Sequence, residues 1–208
     1  MITRYKIALK KSLHQFSSNE LIGSTFISTS AGNTRCLSKK YKPAAVIALI
    51  YPKNGEHNLL LTKRSNALEL HPGEISFPGG RENTTDLDLK DTALRECEEE
   101  VGIHRDQIKI ISELGSFITN SNFEIFAFIA TSTREIEFRI NRDEVAQIIE
   151  FPLSKLTKAK CIRDDLWVVN GKTRYKPSFG YKGHLIFGAT ARILDCLVQT
   201  LPNTPYNS

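Results

Sequence analysis

The sequence predicts an α+β fold on three observations: most segments read as strands, one acidic helix interrupts them, and an apolar helix closes the chain. Residues 44–51 (AAVIALIY) form an unbroken apolar run, the pattern of a buried strand. Lys53-Asn54-Gly55 supplies a turn and Asn58–Thr62 a returning strand, so a β-hairpin opens the compact region. A glycine-punctuated stretch, HPGEISFPGG (71–80), leads to a helix over Leu89–Val101. Strands are expected at Gln107–Ile111, Gly115–Thr119 and Phe123–Ala130. Further on, Leu166–Val169 and Lys172–Tyr175 flank Asn170-Gly171, a pair that tolerates the positive φ values of a type I′ turn. The closing helix runs over Gly188–Thr200, with Ala191, Ile193, Leu194 and Leu197 available for a core. An α+β sandwich suits this order better than a regular βαβ array.

Composition sets the boundaries. The 208 residues are 40% hydrophobic and 25% charged, ordinary globular usage that excludes disordered and collagen-like classes. The longest apolar run, residues 44–51, is far short of the ~20 residues of a membrane helix. The N-terminus lacks an apolar signal region and the C-terminus lacks SKL or KDEL, so a cytoplasmic location is expected. Cys36, Cys97, Cys161 and Cys196 form no CxxC pair, which fits a reducing compartment. The formal net charge is +5, but residues 1–43 carry eight Lys or Arg against one acid, Glu20; that segment is +7 and the rest −2. Residues 1–40 therefore read as a basic N-terminal helix and arm, and residues 41–208 as the compact domain. The arm lacks the aromatic interleaving of a single-strand stacking surface, so nucleic acid is not an expected partner.

The informative segment is DLDLKDTALRECEEEVGI (86–103). Asp88 with Asp91 resembles a capping arrangement, and Gly102-Ile103 supplies a helix stop. At helical spacing Leu94, Cys97 and Val101 share one edge, while Glu96, Glu99 and Glu100 share another. Three acids at that spacing repel, and only Arg95 offsets them locally. Alone, the run reads either as a solvated charged face or as hard oxygen ligands gathered for Mg²⁺ or Mn²⁺.

The context chooses between these. Gly80, followed by Arg95-Glu96-Cys97-Glu98-Glu99-Glu100-Val101-Gly102-Ile103, resembles the signature of the Nudix hydrolases. In that pattern a Gly, five residues, a Glu and seven residues precede Arg-Glu-apolar-any-Glu-Glu-any-Gly-apolar. The second half matches at every defined position. The first half departs: Asp86 stands where the pattern has Glu, and the interval to Arg95 is one residue longer. With LLTKRS (60–65) and GEISFPGG (73–80) upstream, the chain is similar to the coenzyme A pyrophosphatase branch. Glu69 occupies the position where that branch usually carries an arginine.

The resemblance implies a Nudix-type α/β/α sandwich with a mixed sheet, and metal-dependent hydrolysis of coenzyme A or its thioesters to 3′,5′-ADP and 4′-phosphopantetheine. The alternatives are another nucleoside diphosphate derivative, such as ADP-ribose or a dinucleotide, and a non-catalytic nucleotide-binding module. It also implies that Glu96, Glu99 and Glu100, with the Gly80 carbonyl, hold Mg²⁺ or Mn²⁺, and that Arg95 orients the glutamates. Glu144 is the loop candidate for a base or metal ligand, with Glu96 as the alternative base. Lys63, Arg64 and Gly79 are placed against the phosphates, and residues 181–184 against the substrate cleft. His71 reads as a turn or packing residue and Cys97 as a small core residue. The expected partner is a small nucleotide such as coenzyme A, not a membrane, and an oligomer is compatible with the sequence.

Overall fold

A computed structural model describes residues 41–156, 162–169 and 172–201. The basic helix and arm expected over residues 1–40, and the Asn170-Gly171 turn, lie outside the described residues. In chain order the elements are β1 (Lys42–Lys53), β2 (Glu56–Arg64), β3 (Ile75–Ser76), β4 (Gly79–Arg81), α1 (Leu89–Val101) and a 3₁₀ turn, Arg105–Gln107. Then come β5 (Lys109–Ile118), β6 (Phe123–Thr131), β7 (Val145–Pro152), α2 (Leu153–Leu156), β8 (Ile162–Val169), β9 (Lys172–Tyr181), β10 (His184–Ile186) and α3 (Gly188–Thr200).

The first seven strands form one mixed sheet. β1 and β2 make the expected hairpin, and Asn54 (φ 52°) with Gly55 (φ 77°) provides the two positive values of a type I′ turn. On its other side β1 runs parallel to β6 from Lys42↔Phe123 to Ile50↔Thr131. The N-terminal part of β1 also takes β4 antiparallel, with Ala45 opposite Gly80. β2 carries β7 on its outer edge. A separate three-stranded antiparallel sheet contains β8, β9 and β10.

The apolar run of β1 does not alternate with polar residues because both faces of the sheet are covered. Ala45, Ile47, Leu49 and Tyr51 pack with Leu89, Ala93, Cys97 and Val101 of α1. Val46, Ala48 and Ile50 pack on the opposite face with Ala191, Ile193, Leu194 and Leu197 of α3. The layers are therefore helix, sheet, helix, and the α/β/α sandwich with a mixed sheet is observed.

Two expectations are corrected. Gln107–Ile111 and Gly115–Thr119 are not separate strands: Gln107 belongs to the 3₁₀ turn, and a single β5 spans Lys109–Ile118. Its register slips between Ile110 and Ser112 and between Glu113 and Gly115. Such irregularities break the period-two pattern that marks a strand in a sequence. β7 carried no sequence signal, because exposed Gln147 interrupts the buried series Val145, Ile149 and Phe151.

Candidate active site

Local chemistry fixes both ends of α1. The Asp88 carboxylate accepts from the amides of Lys90 and Asp91 (2.8 and 2.9 Å), and the Asp91 carboxylate reaches back to the Leu87 amide (3.2 Å). Gly102 ends the helix in the left-handed region (φ 71°), its amide donating to the Glu98 carbonyl. A side chain there would run into Arg139. The helix is thus held in register against the β1–β4 edge, where the glycines lie.

Gly79 and Gly80 are close-approach positions. A Cβ on Gly79 would overlap the Ala45 carbonyl, and one on Gly80 would overlap the Glu96 carboxylate. The Gly79 amide donates to Glu100, so this glycine is committed to supporting an acid.

Three acids converge. Carboxylate oxygens of Glu96, Glu100 and Glu144 lie within 4.8 Å of one another. Glu96 and Glu100 come from one face of α1, and Glu144 comes from the loop entering β7, where its carbonyl accepts from the Ser65 amide at 2.8 Å. The helix does not present three equivalent carboxylates on an open edge. Glu100 is 3% exposed and belongs to the buried side of the helix, whereas the Glu99 side chain is 52% exposed and stands outside the cluster. Leu94, expected on the buried edge, is only partly buried.

Burial pushes the Glu100 carboxyl up to about 8; Arg64 opposes the rise, and Glu96 and Glu144 add to it. Glu96 is also raised by burial, against the pull of Arg95. Among the described residues, Glu100 Oε2 is the one carboxylate oxygen buried without a hydrogen-bond partner. An orphaned oxygen amid mutually repelling carboxylates is costly unless a cation joins them. An all-oxygen donor set of this kind fits a hard divalent ion.

Arg95 organises the surround. Its guanidinium donates to Asp86 Oδ1 (2.7 Å) and Oδ2 (3.0 Å), Glu96 Oε1 (2.9 Å), Glu99 Oε2 (2.9 Å) and the Arg81 carbonyl (3.1 Å). Asp86, a departure from the motif by sequence, is the principal anchor of this arginine. Its side chain is 2% exposed and also accepts from the Asn83 amide and the Thr92 hydroxyl, both at 2.8 Å. The Arg95 bonds hold its carboxyl well below the usual range.

Strand alternation separates the two expected phosphate cations. Arg64 follows Leu60 on the α1 face and acts on Glu100. Lys63 follows Leu59 and Leu61 on the α3 face, opposite Gln147 of β7. Tyr181, Lys182 and His184 line a cleft of about 300 Å³ with Gln147 and Glu150 of β7. The cleft begins at Gln147, on the strand that Glu144 immediately precedes. His71 occupies a left-handed turn position (φ 56°) with Nδ1 3.1 Å from Glu74, and Cys97 is buried against β1, as expected of both. Asn141, which carried no sequence signal, donates to Glu144 Oε1 at 3.2 Å.

The NUDIX domain model matches residues 40–169, more than half of the chain. The chain belongs to the Nudix family. Its similarity extends to the uncharacterized Nudix hydrolase NudL of Yersinia enterocolitica, 33% identical over 147 residues, covering 69% of this chain and 74% of that protein. The peroxisomal coenzyme A diphosphatase NUDT7 of Mus musculus is 28% identical over 155 residues, covering 72% of this chain and 66% of that protein. A crystal structure of a MutT/nudix family protein from Enterococcus faecalis matches with a TM-score of 0.50 at 13% identity, covering 95% of this chain and 72% of that one. As a Nudix hydrolase the chain is of a class acting on small nucleotide derivatives with divalent metal. No helix among the described residues is long and apolar enough to cross a membrane.

Proposed function

We propose that this Nudix protein hydrolyses the diphosphate of coenzyme A or its thioesters, giving 3′,5′-ADP and 4′-phosphopantetheine or its acyl form. The observation that carries the reading is the convergence of Glu96, Glu100 and Glu144 beside Gly80, with a buried Glu100 oxygen left without a partner. The choice of substrate is supported by the LLTKRS and GEISFPGG segments and by similarity to the mouse coenzyme A diphosphatase.

In this reading Glu96, Glu100 and Glu144, with the Gly80 carbonyl, hold Mg²⁺ or Mn²⁺, and Glu99 supports them from outside through Arg95. The bound ion supplies charge neutralisation of the diphosphate oxygens and acidification of a water. Arg95 fixes Glu96 by charge-assisted hydrogen bonds and is itself fixed by Asp86. Whichever of these carboxylates the ion leaves free, Glu144 first and Glu96 as the alternative, takes the proton of the attacking water as a new P–O bond forms and the bridging P–O bond breaks. Arg64 neutralises phosphate charge, and the cleft along β7 accommodates one arm of the substrate.

Glu69 favours a second reading, hydrolysis of ADP-ribose or another nucleoside diphosphate derivative. It is an exposed acid in the loop after Arg64, where the coenzyme A branch carries an arginine. Purified protein with Mg²⁺ or Mn²⁺ and a panel of such substrates decides. A kcat/KM for coenzyme A far below that for ADP-ribose overturns the first reading.

A further inference from the structure

We infer that Asn141 is a positioning residue that aims the Glu144 carboxylate into the acidic cluster; this rests on the proposed role of Glu144 as a metal ligand. The segment before β7 is stitched to the end of α1, because the Asn141 amide donates to the Glu100 carbonyl at 3.0 Å and the Arg139 amide to the Val101 carbonyl at 2.9 Å. From that fixed point the Asn141 carbonyl accepts from the amides of Glu144 (3.2 Å) and Val145 (2.8 Å), closing a tight turn. Its side chain is engaged at both ends. Oδ1 accepts from the Asp143 amide at 3.1 Å, and Nδ2 donates to Glu144 Oε1 at 3.2 Å.

The chemistry of the two partners fixes the orientation of the side-chain amide. A backbone N–H only donates, so the atom facing Asp143 is the oxygen, and the NH₂ group must face Glu144. One residue thereby joins the backbone of one proposed ligand, Glu100, to the carboxylate of another, Glu144, across 44 residues of chain. The acids repel one another, and without a donor behind it the Glu144 side chain is free to turn away. Residues that hold ligands in this manner change metal affinity or activity by about 10–100-fold when altered.

Asn141→Asp separates the two functions of the side chain. It keeps the acceptor for the Asp143 amide and replaces the donor to Glu144 with a like charge. The test is Mn²⁺ titration by electron paramagnetic resonance, without nucleotide, on wild type, Asn141→Asp, Glu144→Gln and the double variant, with thermal unfolding of each and steady-state kinetics. The expected result is about a tenfold weaker Mn²⁺ affinity and a lower kcat in Asn141→Asp, with little change in Tm, and no additional loss of affinity in the Glu144→Gln background. Unchanged or tighter Mn²⁺ binding in Asn141→Asp, or full additivity with Glu144→Gln, overturns the inference. Loss of affinity only in step with loss of Tm also overturns it, since the role is then structural. A wild type that binds no Mn²⁺ refutes the metal reading itself, whereas a wild type weakened by Glu144→Gln but not by Asn141→Asp refutes only the part given to Asn141.

Discussion

Asp86 stabilises the site from outside it: by gripping Arg95 through two nitrogens it sets the guanidinium that in turn holds Glu96 and Glu99. Asp86→Asn should lower stability by about 2 kcal/mol at neutral pH, the scale of a charged hydrogen bond. The folded pKa of Asp86 is lowered, so its contribution is complete above the unfolded value of ~3.9 and is lost as pH falls through the lower folded value. Urea unfolding should therefore show a constant wild-type advantage at neutral pH that shrinks under strongly acidic conditions. The glutamates should also rank. Because Glu99 stands outside the cluster, Glu99→Gln should cost much less kcat than Glu100→Gln or Glu96→Gln, and Glu144→Gln should cost more than tenfold. Equal losses for Glu99→Gln and Glu100→Gln would show that the helix acts as an undivided acidic edge.

At the scale of elements, α1 was the most legible part of the sequence because its limits are written in side chains next to it. Asp88 and Gly102 occupy the cap positions that their chemistry predicts. Gly102→Ala should destabilise by more than ~1 kcal/mol, since φ is 71° and the added Cβ meets Arg139; a thermal scan with unchanged Tm contradicts this. The β1–β2 hairpin was legible for the same reason, its turn being local. β7 and the continuity of β5 were not, because bulges and an exposed Gln147 interrupt the alternation on which strand reading depends. The burial of Glu100 was likewise hidden: helical spacing alone groups it with Glu96 and Glu99, and only packing against the glycine strand turns it inward. Asn141 gave no signal because its bonds join parts of the chain that are distant in sequence.

Over the whole molecule, a sheet covered on both faces carries α1 on one side and α3 on the other, and the acidic cluster forms where α1, the glycine strand β4 and the loop into β7 meet. Because burial raises the Glu100 carboxyl to about 8, a proton must leave before that oxygen can ligate. Mn²⁺ affinity should climb with pH below about 8 and level off above it; a flat profile would contradict a raised Glu100 carboxyl. Saturating Mn²⁺ should raise the Tm of the wild type and leave Glu100→Gln nearly unmoved, because an ion that binds only the folded state stabilises it by mass action. The most direct measurement is mass-spectrometric identification of the products from coenzyme A with Mg²⁺ or Mn²⁺, for wild type beside Glu100→Gln. Wild type should yield 3′,5′-ADP and 4′-phosphopantetheine, and none after chelation, with a loss of at least two orders of magnitude in the variant. Equal turnover by both proteins would contradict the proposed function, as would turnover that survives chelation.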